Sequence, residues 1–83
     1  MKFKDKVVFI TGGAKGLGKA TAMAFLEEGA QVAVSDIHRE AVSKFEEELK
    51  GKPVLAFEAD ITNYEEMENV LGKTLDKWGK VDV

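Results

Sequence analysis

The sequence predicts an α/β fold built on a parallel sheet. Three observations carry that expectation. A unit of amphipathic helix, glycine and short apolar strand occurs three times, around Gly29, Gly51 and Gly79. The strands read as near-continuous apolar runs rather than alternating ones, which suits a sheet covered on both faces. Strand and helix alternate from the start, so the crossovers should be right-handed.

The first strand is expected at Lys6 to Ile10 (KVVFI), the second at Gln31 to Ser35 (QVAVS) and the third at Val54 to Phe57 (VLAF). Pro53 stands just ahead of the third, where its missing donor does little harm. Three helical stripes follow the three-and-four spacing of one face. They are Leu17, Ala20, Thr21, Ala24 and Phe25; then Val42, Phe45 and Leu49; then Met67, Val70, Leu71, Leu75 and Trp78. Thr62 with Glu65, or Asn63 with Glu66, caps the third helix. Trp78 and the methionines are expected in the core. The predicted order is βαβαβα plus the start of a fourth strand, Val81 to Val83. The three full strands lie in the order 3-2-1, with helices on both faces, as an incomplete doubly wound fold.

Composition narrows the function. The chain has 83 residues, enough for one small domain. With 33% charged and 45% hydrophobic residues it is globular rather than disordered. A net charge of -3 gives no basic field for nucleic acid or an anionic membrane. There is no cysteine, which removes disulfides, thiolate metal sites and cysteine nucleophiles. The single histidine, His38, sits among charged residues and reads as a surface residue, with no metal site around it. The apolar run Val7 to Ile10 is too short for a leader or a membrane span, so the cytoplasm is the expected compartment. A chain this small buries little surface and must pack well, self-associate or belong to something larger.

The chemistry lies between the first strand and the first helix, in Thr11-Gly12-Gly13-Ala14-Lys15-Gly16-Leu17-Gly18. Glycine serves here for a sharp turn, for close approach of backbone to a phosphate, and for tight packing of helix on strand. The free amides at the helix N-terminus then meet the anion, and the helix dipole adds about 0.3–1 kcal/mol. A glycine-rich loop without a ligand is the plain alternative, but four glycines in so short a stretch weaken a small domain. A P-loop is the competing motif. Gly13, Gly18 and Lys19 match it, yet Ala20 stands where a magnesium-binding hydroxyl is needed. Thr21 is one residue late, about 100° round the helix. The G-x-G-x-x-G form is absent.

The pattern that fits is T-G-x-x-x-G-x-G, carried by Thr11, Gly12, Gly16 and Gly18. With it the chain resembles the short-chain dehydrogenase/reductase family, from about Lys6 to the last residue. Asp36 ends the second strand where the family's NAD-preferring members carry an acid. Asp60-Ile61 follows the third strand where the family has an aspartate contacting adenine. Lys80 to Val83 looks like the family's fourth strand. The resemblance implies a Rossmann-type fold, with residues 1–83 forming the N-terminal part of a dinucleotide-binding domain. It implies a cofactor held by Thr11, Gly12, Lys15, Gly16, Leu17, Gly18, Asp36, Ile37, Asp60 and Ile61.

Asp36 follows Gly18 at roughly the 20-residue spacing expected of the ribose acid. Its carboxylate accepts from both ribose hydroxyls and repels a 2′-phosphate, so NAD is expected over NADP. The alternative is that Asp36 merely caps the second helix. Lys15 and Arg39 argue for NADP, but from flexible, solvated side chains. The family's chemistry uses a serine, a Y-x-x-x-K pair and an asparagine C-terminal to this region. Tyr64 is followed four residues on by Glu68, and Ser35 and Ser43 lie in a strand and on a helix. No catalytic residue carries over, and the chain alone is expected not to transfer hydride. It reads as part of an NAD-dependent oxidoreductase. A stand-alone nucleotide-binding or assembly module and a P-loop NTPase fragment are the alternatives. The first strand, covered only by a stub, is expected to expose an edge that drives self-association.

Overall fold

The structure is a computed structural model that describes residues 3–83. Strand β1 spans Val7–Thr11, helix α1 Gly16–Glu27, β2 Gln31–Asp36, α2 Arg39–Glu48, β3 Val54–Glu58 and α3 Tyr64–Trp78. The strands form one parallel sheet in the order β1-β2-β3, as expected. Val8 pairs with Val32 and Ile10 with Val34, and on the other side of β2 Val32 pairs with Val54. The glycines expected after the helices, Gly29, Gly51 and Gly79, all have positive φ.

The core follows from strand alternation. Val8, Val32 and Val34 point to one face and pack with Ala22 of α1 and with Val42, Phe45 and Leu49 from α2 and its end. Val7, Ala33 and Ser35 have the opposite parity and are also fully buried. Val70 and Thr74 are the buried residues of α3. The right-handed rule for strand–helix–strand crossovers assigns α3 to that second face, opposite α1 and α2. β3 is only half-buried, because it has one strand neighbour and stands at the sheet edge.

Helix α1 is rotated from its expected face. Leu17, Ala20, Thr21 and Ala24 are exposed, whereas Ala22 is buried and Gly18 and Phe25 are half-buried. Gly18 decides this rotation, because it lies against the Gly12 carbonyl with no room for a Cβ. The inward face then runs from Gly18 through Ala22 to Phe25, and Phe25 meets the Phe3 ring edge-on at 4.9 Å. On α3, Val70 is buried as expected, but Met67, Leu71 and Trp78 are half-buried and Leu75 is exposed. The buried Thr74 satisfies its hydroxyl on the Val70 carbonyl at 2.8 Å. Asn63, not Thr62, caps α3 by accepting the Glu66 amide at 3.2 Å.

Val81 to Val83 form no assigned strand, yet they lie along the outer edge of β1. Asp82 N donates to Val7 O at 2.8 Å, and Phe9 N donates to Val83 O at 2.8 Å. That edge is therefore paired from Val7 to Phe9 rather than bare, which corrects the expectation of a largely exposed strand.

Candidate functional site

The strand-to-helix turn is clamped onto the end of β2. The amides of Gly12 and Gly13 both donate to Ser35 O, at 2.7 and 3.2 Å. Gly12 and Gly16 have φ of 65° and 59°, where L side chains rarely sit. A Cβ on either would meet no protein atom within 4 Å, and both residues line a cleft. Gly13 differs, since its Cβ would stand 2.7 Å from Val34 Cγ1. Its role is packing, and the sequence motif does not mark it.

The cleft holds about 550 Å³ and opens at the C-terminal ends of the strands, where open α/β sheets bind their ligands. Of the ten residues expected at the site, all but Thr11 line it. Thr11 ends β1 and is exposed. At the start of α1, Lys15 supplies no side-chain cap and the first turn has no acid. The amides of Gly16, Leu17 and Gly18 thus have neither an intrahelical acceptor nor a capping side chain. By contrast, α3 has its Asn63 cap and two glutamates in its first turn.

Two aspartates close the far wall in the same way. Asp36 Oδ1 accepts the His38 amide at 3.0 Å and lies 2.7 Å from His38 Nδ1. Asp60 Oδ1 accepts the Thr62 amide at 2.9 Å and the Thr62 hydroxyl at 2.7 Å. Each is an aspartate turned onto the residue two positions on. The matching tripeptides Asp36-Ile37-His38 and Asp60-Ile61-Thr62 are a sequence signal that could have marked these partners. Burial by itself raises the Asp36 carboxyl. Hydrogen bonds from the His38 amide and ring and from the Ala14 amide outweigh burial and hold it below the usual carboxylate value. The Thr62 hydroxyl and amide do the same for Asp60. Between these turns, Ile37 and Ile61 stand exposed in the cleft.

His38 and Ser35 also line the cleft without having been expected there. The Ser35 hydroxyl is fully buried with no hydrogen-bond partner. Among the cations, Lys15 lines the cleft, Lys19 is paired with Glu48, and Arg39 lies 3.9 Å from Glu58, away from the cleft walls. Lys19, which a P-loop would aim at phosphates, is thus turned to α2. Among the described residues, no helix is long and apolar enough to cross a membrane.

A parallel sheet with a glycine turn at its C-terminal end and an acid closing the second strand defines a Rossmann-type nucleotide-binding unit. The chain belongs to the short chain dehydrogenase family, whose model matches residues 6–83. It is 36% identical over 83 residues to sorbitol dehydrogenase of Cereibacter sphaeroides, covering 100% of this chain and 32% of that protein. It is also 36% identical over 85 residues to a 3-oxoacyl-acyl-carrier-protein reductase of Thermotoga maritima, covering 100% of this chain and 35% of that one. The solved 3-ketoacyl-(acyl-carrier-protein) reductase of Brucella melitensis, complexed with NADH, matches with a TM-score of 0.89 and 32% identity, over 96% of this chain and 33% of that one. The chain spans about a third of the length of the curated relatives it matches.

Proposed function

We propose that the cleft holds the adenosine diphosphate half of a nicotinamide dinucleotide, NAD in preference to NADP, as the nucleotide-binding part of an oxidoreductase. The observation that carries this reading is the uncapped first turn of α1 opening into the cleft beside Gly12 and Gly16. Those amides and the helix dipole would take the pyrophosphate. The room at Gly12 and Gly16 fits such a group, because a Cβ there would fill the space a phosphate needs. Ile37 and Ile61 offer apolar walls for the adenine, and Asp36, held ionised, offers a ribose acceptor that repels a 2′-phosphate. Arg39 is not among the residues lining the cleft and lies 3.9 Å from Glu58. When bound, the dinucleotide would supply the hydride acceptor or donor for oxidation or reduction.

Calorimetric titration of the chain with NAD tests the reading. Binding is expected for the parent and at least a tenfold loss in Gly12→Val, about 1.4 kcal/mol. Equal binding by both would overturn the loop assignment. Self-association along the remaining edge of β1, Ile10 and Thr11, accompanies the proposal. Sedimentation showing a monomer at high concentration would overturn that part.

A further inference from the structure

We propose that His38 sets how strongly the cleft discriminates between NAD and its 2′-phosphorylated form, the protonated imidazole relaxing the exclusion that Asp36 imposes. This rests on the NAD reading above and adds to it a second specificity residue and a pH dependence.

The geometry is a carboxylate covered by a ring. The Asp36 side chain is only 5% exposed and that of His38 is 52% exposed, with Nδ1 2.7 Å from Asp36 Oδ1. His38 lines the cleft, and it also borders a second cleft of about 420 Å³ between the glycine turn and α2. An approaching ribose therefore meets the imidazole together with the carboxylate. In the neutral ring Nδ1–H donates to Asp36, and the pair carries one negative charge. A proton taken up at Nε2 makes the pair neutral overall and its hydrogen bond charge-assisted. Two effects then act in one direction. The ribose hydroxyls compete less well for a carboxylate held more firmly, which weakens NAD. The 2′-phosphate no longer meets a net negative pair, which strengthens NADP.

The surrounding charges leave this switch to the histidine. Lys15 borders both clefts from the turn, while Lys19 from α1 and Glu40, Lys44 and Glu48 from α2 border the second. Arg39, next to His38 in the chain, lies 3.9 Å from Glu58. Asp60 faces from across the cleft. Lys19 and Glu48 pair with each other. Carboxylates and lysines as classes change charge outside the range between pH 6 and 8, whereas histidine changes within it.

The test measures NAD and NADP affinities of the chain by calorimetry at intervals from about pH 5.5 to 8.5, across the histidine range. The 2′-phosphate itself takes up a proton near pH ~6, so the same series is run on His38→Asn. Asparagine keeps a donor toward Asp36 but cannot become a cation. On acidification, the NADP-to-NAD affinity ratio of the parent is expected to rise about tenfold more than that of His38→Asn, as befits one charge near a phosphate at the surface. Superimposed ratio curves for parent and variant, with both nucleotides bound, would overturn the role of His38 alone. Failure of both nucleotides to bind at any pH would overturn the cleft assignment and this proposal with it.

Discussion

The carboxylate of Asp82 accepts the Val7 amide at 2.8 Å, joining residues 75 positions apart. That bond, with the main-chain bonds from Asp82 and Val83 to Val7 O, lays the end of the chain along β1. It places an acid where a bare strand edge would offer an amide.

The Val7 hydrogen bond is the first cause of a lowered Asp82 pKa, and Lys80, 3.2 Å away, adds to it. A carboxyl with a depressed folded-state pKa stabilises the fold above its unfolded value, near ~3.9. It loses that contribution as the pH falls through the lower, folded value. Asp82→Ala is therefore expected to speed hydrogen exchange at the Val7 amide severalfold at neutral pH. The difference from the parent should vanish in strong acid. Unchanged exchange at neutral pH would show that the main-chain bonds hold the edge alone.

Three glycines of similar chemistry should respond in opposite ways to alanine. At Gly18 the new Cβ collides with the Gly12 carbonyl, and at Gly13 it meets the buried, branched Val34 at 2.7 Å and Ile10 at 3.1 Å. Each should cost about 1–3 kcal/mol as overpacking. Gly72 lies inside α3 with nothing near its Cβ position, and Gly72→Ala should add about 0.5–1 kcal/mol. Thermal melts of the three variants would check the order. A destabilised Gly72→Ala or a neutral Gly18→Ala would contradict the packing described for α1 and α3.

Asp36→Ser tests the acid directly. A hydrogen bond to a charged group is worth about 1.5–3 kcal/mol, so the NAD preference should narrow by at least tenfold and could invert. The substitution also removes the acceptor of the His38 amide at the entry to α2. Circular dichroism should accompany the affinities, to separate lost helix from lost recognition. Equal affinities of the parent for NAD and NADP would overturn the argument from Asp36 and point to Lys15 and Arg39 as offsetting cations.

By itself the sequence determined the three strands, the parallel order, the glycine turn and the acids at the strand ends. All of these rest on local patterns: apolar runs, helical spacing and glycine at turns. The stripe of α2 was legible because Val42, Phe45 and Leu49 form its one apolar face. The face of α1 was not, because Leu17, Ala20, Met23 and Ala24 offer apolar residues around the helix. Only the approach of Gly18 to Gly12 chose between them. Trp78 and Leu75 read as core from spacing, yet α3 buries only Val70 and Thr74. Spacing gives a face, and the width of that face under cover depends on what packs on it. The pairing of Asp82 with Val7 and the clamp of Gly12 and Gly13 on Ser35 were decided by tertiary structure for the same reason. A hydrogen bond between residues far apart in the chain leaves no local periodicity, and forms only when the sheet brings its partners together.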